Sequence, residues 1–160
     1  MYKSCDIKGS VGGKNIIEIE DGGSISNLTI DVPAKGFGVK EAVFTQAGAG
    51  TTIIQNFCAQ NFSKVYRSCG ELCSQHRRSI KMANSKFKRP GLSLISLNYN
   101  YGDTMYINNI QLTYPRIYFG CQEYNGTGGR ATLKPEGQCF PQNECRLRSC
   151  KYKKGSIIVK

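Results

Sequence analysis

Four short runs of this chain, ISNLTI, IQNFCA, MANSKF and INNIQL, each carry asparagine at the third position. The asparagines are Asn27, Asn56, Asn84 and Asn109, spaced 29, 28 and 25 residues apart. Around them apolar residues alternate with polar ones, as in NIIEIE, SISNLTI, TTIIQNF, SIKMANSKF and TMYINNIQL, which is the period of a half-buried strand. A unit of one strand plus a turn cannot bury its own apolar face. It must stack on the next unit, and recurrence at this length is the signature of a solenoid. The repeat therefore predicts an all-β chain of parallel strands, with the asparagines pointing inward and bonded side chain to side chain from one repeat to the next. Gly22-Gly23, Gly48-Ala49-Gly50 and Gly102 each fall just before a strand of the repeat, where a corner requires positive φ.

Composition narrows the class. At 160 residues the chain fits a single domain, and it holds no apolar stretch of about 20 residues that would span a membrane as a helix. His76 is the single histidine, which excludes sites built from several. Among Arg77 and Arg78 it reads as a solvated or groove-edge residue. The 8 cysteines suit an oxidising compartment. Eight allow 105 pairings, so connectivity stays open, and Cys58, inside an apolar run, also reads as a buried free thiol. A zinc knuckle of Cys69/Cys73 with Cys145/Cys150 has loose spacing for such a site. Four cysteines fall after residue 120, so the last forty residues are expected to form a disulfide-tied cap over the end of the solenoid. The opening MYKSCDIKGS has no apolar core, so no signal peptide is visible in this chain. Three glycosylation triplets, at Asn27, Asn61 and Asn125, nevertheless fit a secreted protein.

The formal charge of +11 is uneven. Residues 61–90 hold eight Lys and Arg against Glu71, while residues 1–31 hold three Lys against five acids. A basic face attracts a polyanion, and no aromatic pattern of an RNA-binding sheet accompanies it. The plain alternative is a solvated cationic surface. Within NFSKVYRSCG, Lys64 and Arg67 stand three apart, and on a bend both reach one groove. Arginine holds a planar carboxylate, and lysine supplies a point charge or, with a lowered pKa, a base. Those are the parts needed to eliminate a uronic acid linkage: acidify the proton alpha to the carboxylate, remove it, and let the glycosidic oxygen leave. Asp103 in NYGDT reads as a turn former bonding its own backbone.

VFTQAGAGTTIIQNFCAQNFSKVYRSCG, with QHRR and LNYNYGDT following, resembles the family-3 pectate lyases. EIEDGGSISNLTI is similar to the opening repeat of that family and CQEYNGTGG to its C-terminal segment. The similarity runs over about residues 15–139, with 140–160 a basic, cysteine-rich tail of the same single domain. It implies a right-handed parallel β-helix, secreted and monomeric, that cleaves polygalacturonate by calcium-assisted elimination, with neither nucleic acid nor membrane as partner. The family's Lys-x-x-Arg pair falls on Lys64 and Arg67, the catalytic candidates. Arg67, Arg77 and Arg78 are the expected substrate-binding cations.

Three departures are correlated. Ala42 stands where the family has a further lysine, and Lys35 where it has a calcium-ligating acid. Between Val39 and Lys40 the family's acidic repeat has no counterpart. No metal ligand is assigned as a result. Two functions remain: an eliminative lyase, or a non-catalytic pectin-binding protein or secreted effector. Near the basic pair, Cys73 is displaced by one residue, giving C-G-E-L-C in place of C-G-N-C.

Overall fold

A computed structural model describes residues 42–60, 62–88, 91–113 and 118–160, together with the backbone of 17–19, 25–26 and 29–31. The alternating runs form strands. The early ones are β1 (Ile17–Ile19), β2 (Ile25–Ser26), β3 (Thr29–Asp31), β4 (Ala42–Gln46), β5 (Gly50–Gln55) and β6 (Cys58–Gln60). β7 (Lys64–Ser68), β8 (Arg78–Lys88), β9 (Ser93–Asn98), β10 (Thr104–Thr113) and β11 (Phe119–Asn125) continue the pattern. One sheet has the order β1-β4-β7-β9-β11, every pair parallel. A second runs β2-β5-β8-β10, again parallel, and β3 and β6 pair with each other and with the second half of β8. This all-β arrangement of parallel sheets is consistent with a β-helix. Among the described residues there is no α-helix, only a 3-10 turn at Tyr99–Tyr101.

The register stacks like on like. Ile54 lies beside Met82 and Met82 beside Ile107, while Ala59, Phe87 and Leu112 form another row. Phe44, Phe57, Phe62 and Phe87 make an internal aromatic stack with ring centroids 5.0 to 6.0 Å apart. All four are 2% exposed or less. Each such side chain is worth about 1.5–3 kcal/mol of transfer free energy, the main force holding one repeat on the next.

Asn56, Asn84 and Asn109 adopt left-handed backbone at φ 53°, 51° and 52°. Each turns a sharp corner without ending the pairing: β10 matches β8 from Thr104 to Asn108, skips both asparagines, and resumes at Ile110. The ladder exists, since Asn109 Nδ2 donates to Asn84 Oδ1 at 2.8 Å. It runs along the outside rather than inward as the sequence suggested. Asn84 and Asn109 are exposed, and the flanking positions, Met82 and Ser85 or Ile107 and Ile110, fill the interior instead. The left-handed corner reverses which side faces in, so the residues two before and one after the asparagine share the interior. Asparagine suits the corner because it tolerates αL and then bonds its neighbour. Asn27 lies outside the described residues. Of the expected glycine corners, Gly50 and Gly102 have positive φ, 102° and 75°, and Gly22-Gly23 lie outside the described residues.

After β11 the chain reverses. β12 (Thr132–Cys139) pairs antiparallel with β11, a small hairpin joins β13 (Cys145–Arg146) to β14 (Lys151–Tyr152), and β15 (Ile157–Val159) adds in parallel to β10. β12 and β15 thereby occupy the sheet edges that β11 and β10 would otherwise expose. Disulfides Cys121–Cys150 and Cys139–Cys145 tie this segment down. Buried Glu123 accepts from the amides of Ser149 and Cys150 and pairs with Lys134 at 2.9 Å. Cys69 bonds Cys73 and Cys58 is also disulfide-bonded, so neither the zinc knuckle nor a free Cys58 thiol is present.

Alanine at φ near 51° costs about 1–2 kcal/mol, which glycine avoids. Asn84→Ala is therefore expected to lower stability in urea unfolding by more than Asn84→Gly, with Asn84→Gly showing only the smaller loss of the ladder bond.

Candidate active site

Lys64 and Arg67 both sit on β7, near enough for the Arg67 charge to act on the Lys64 ammonium. Two residues three apart on a flat strand face opposite sides, but β7 and its neighbour β9 start on a bend. In β9, Ser93 Oγ and Ser96 Oγ lie 3.2 Å apart, and these two positions are the register partners of Lys64 and Arg67. Lys64 Nζ donates to Tyr124 Oη at 3.3 Å and lies 4.7 Å from the centre of that ring. Tyr124 Oη in turn donates to Gln122 Oε1 at 3.4 Å. Arg67 is aligned across the sheet with Thr45, Ser96 and, through Ser96, Gln122. Its Nη2 is 3.1 Å from Glu71 Oε2.

Burial, aided by the neighbouring Arg67 charge, lowers the Lys64 ammonium from its usual 10.5 to about 8. Lys64 is 7% exposed, so its charged form is poorly hydrated. Burial also raises the Tyr124 hydroxyl, against the pull of Arg67. The tyrosine remains a neutral partner for either form of the lysine. The site can thus offer a fixed guanidinium beside an amine with an accessible neutral state. Ser96, Gln122 and Tyr124 were not singled out from the sequence. Gln122 and Tyr124 fall within CQEYNGTGG, read only as similar to the family's C-terminal segment, and Ser96 carried no signal.

Arg77 is exposed on the connection between β7 and β8. Arg78 overturns its expected role in substrate binding, because it has no exposed surface. Its guanidinium donates to the carbonyls of Ala47, Gly48, Cys69, Ser74 and His76, and its amide donates to Asp103 Oδ1 at 2.9 Å. Arg78 is a structural cation that fastens two connections to the end of β8. Asp103 bonds its own turn as expected, through Asn98 N at 2.8 Å, and also reaches across to Arg78. His76 is exposed. The described strand cations of segment 61–90 are divided between two sheets. Lys81, Lys86 and Lys88 lie on β8 in the second sheet, away from the β7 pair by strand order.

A model of the pectate lyase family matches residues 34–130. The chain belongs to this family. It is 34% identical over 108 residues to a probable pectate lyase E of Aspergillus fumigatus, covering 68% of this chain and 41% of that protein. It is 33% identical over 106 residues to pectate lyase E of Emericella nidulans, covering 66% and 40% respectively. A probable pectate lyase D of the latter organism is 32% identical over 114 residues, 69% of this chain and 43% of that protein. The chain thus spans about two fifths of the length of these relatives. No solved structure matches it significantly.

Ala42, which stands where the family resemblance places a lysine, is the register partner of Lys64 on β4. Calcium, implied by the same resemblance, takes six or more hard oxygen ligands, usually several from carboxylates. The described residues do not fit it: no three potential ligands among His, Cys, Asp and Glu converge. Glu71 and Glu144 are paired with Arg67 and Arg146, and Glu123 and Asp103 are spent on backbone amides and, for Glu123, on Lys134. Lys35 and the Val39–Lys40 junction lie outside the described residues.

Two outcomes follow. Arg78→Met leaves buried carbonyls without donors and is expected to cost about 3–5 kcal/mol in denaturant unfolding, against less than about 0.5 for Arg77→Met. Lys64 binds a proton more weakly folded than unfolded, so its charging opposes folding below pH about 8 and the penalty fades as pH rises toward 10.5. Wild-type stability should accordingly rise relative to Lys64→Met between those two values; a flat difference would refute the assignment.

Proposed function

We propose that this chain is a secreted, single-domain, right-handed β-helix that binds polygalacturonate at Lys64 and Arg67 and cleaves it by elimination. The observation that carries this reading is a buried lysine on β7, its pKa lowered to about 8 by burial and by the charge of Arg67 on the same strand, in a member of the pectate lyase family. The Arg67 guanidinium holds a galacturonate carboxylate and stabilises the charge that develops when the adjacent carbon loses its proton. Lys64, in its amine form, takes that proton. The electron pair forms the new carbon–carbon double bond, the glycosidic carbon–oxygen bond breaks, and the leaving oxygen acquires a proton. An amine with pKa near 8 is about a tenth neutral at pH 7, which suits a base. Exposed Arg77 supplies an additional cation for the polymer.

A second reading is favoured by a specific observation. Ala42 faces Lys64 in the place of a lysine, and the described carboxylates are all either paired, spent on amides or isolated. A non-catalytic pectin-binding protein or effector would keep the Arg67 cradle and lose the rest.

Absorbance of unsaturated product separates the two readings. Mixed with polygalacturonate, with and without added calcium, the lyase shows a rising signal whose rate climbs with pH through about 8 as Lys64 loses its proton. Lys64→Met should reduce it about 10²–10⁴-fold. Absence of product from folded protein that still sediments with pectin, and loses that binding in Arg67→Gln, would eliminate catalysis and establish the binding protein.

A further inference from the structure

The guanidinium that the proposed function assigns to the substrate is already occupied. Arg67 Nη2 donates to Glu71 Oε2 at 3.1 Å, with side-chain exposures of 23% and 32%. Glu71 is not a loosely tethered surface residue. It sits in the short loop closed by the Cys69–Cys73 disulfide. Arg78 fastens the loop at both sides, donating to the carbonyl of Cys69 at its start and to those of Ser74 and His76 just after its end. Leu72, next to Glu71, is held at φ 57°. A carboxylate so positioned loses little freedom on pairing, which makes it a standing partner rather than an occasional one.

We propose that Glu71 is an internal competitor for Arg67, occupying the place of a ligand carboxylate and setting the threshold an incoming polyuronate must exceed. This inference rests on the reading of Arg67 as the carboxylate-binding residue. Two features make the contact displaceable. Glu71 engages a single guanidinium nitrogen, whereas a ligand carboxylate can use two parallel hydrogen bonds, the stronger arrangement. Both side chains also retain solvent exposure, so separating them does not strand a buried charge. A ligand without a carboxylate at this position gains nothing that offsets the lost pair. Glu71 therefore discriminates among sugars: it admits an ionised uronate and disfavours a neutral residue at the same place.

Isothermal titration of the full chain with trigalacturonate tests this. Glu71→Gln removes the charge and keeps the shape, and it should bind about two- to five-fold more tightly than wild type, the range expected for releasing one partly exposed ion pair. Glu71→Ala should show a similar gain. Glu144→Gln, which frees Arg146 from its own 2.9 Å pair and changes net charge equally, should bind as wild type does. Arg67→Gln should lose binding. Unchanged or weaker binding by both Glu71 variants, with binding still lost in Arg67→Gln, would overturn the competitor while leaving Arg67 as the carboxylate site. An equal gain in Glu144→Gln would reduce the effect to net charge and also overturn it. No binding by wild type or by any variant would remove the reading of Arg67 itself, and the inference with it.

Discussion

The left-handed asparagine corner sets the register on which the other features depend. Because Asn84 and Asn109 occupy equivalent corners and bond at 2.8 Å, β8 and β10 cannot slip by one residue without breaking both the corner and the amide pair. A one-residue slip would also turn the apolar face outward. With the register fixed, the buried rows Ile54–Met82–Ile107 and Ala59–Phe87–Leu112 follow. The same constraint passes through the core to the other sheet. Phe44 on β4 stacks on Phe57, just beyond the Asn56 corner, and Phe44 is in register with Tyr66 of β7. Lys64 and Arg67 lie on either side of that tyrosine, so the position of the candidate site follows from the positions of the corners.

At the opposite end of β7 the interior becomes polar, and a second kind of order takes over. Gln46 accepts from Thr52 at 2.8 Å and from Tyr66 at 2.6 Å, while its amide nitrogen donates to Gly48 and Gly50 carbonyls. Asn98 donates to Ser68, and a Cβ on Gly70 would lie only 2.2 Å from Asn98 Oδ1. Arg78 and Asp103 complete the group. Burying so many polar atoms is tolerable only because nearly every donor and acceptor finds a partner. Apolar packing would hold the repeats together without specifying how the connection after β7 is folded. The polar network does specify it, and through Arg78 it fixes the loop that carries Glu71 against Arg67.

The strands were legible because their period is two and because the asparagine frame repeats. TTIIQNF and TMYINNIQL became β5 and β10 at the expected places. The direction of the asparagines was not legible, since a sequence pattern gives spacing and not the sign of φ at a corner. Arg78 was misread for a related reason. In QHRR the two arginines are chemically identical, and only the tertiary fold decides that Arg77 meets solvent while Arg78 meets five carbonyls. Charge density along the chain was equally ambiguous, because Lys64 and Lys81 are near in sequence but lie on different sheets. Lys64 and Arg67 were expected on a bend after a strand, whereas both lie on strand β7, just past a bend at Ser63. Tyr124 and Gln122 enter from a strand two places away and carried no local signature.

The alanine opposite Lys64 shapes what this lysine can do. Neighbouring strands lie about 4.8 Å apart, so a second ammonium at position 42 would stand close to Lys64 in a poorly hydrated setting and would lower its pKa further. With Ala42 there, burial and Arg67 alone act, and the value settles near 8. Lys64 is then mostly an ammonium at neutral pH, good for attracting a polyanion, and becomes a base only as pH rises. The two roles oppose each other across that value: each proton lost adds a base and subtracts a cation. Arg67 has no such conflict, because a guanidinium keeps its charge throughout the range. In the proposed elimination, holding the carboxylate therefore falls to Arg67 whenever Lys64 removes a proton, and that division of labour is set by side-chain chemistry rather than by position alone.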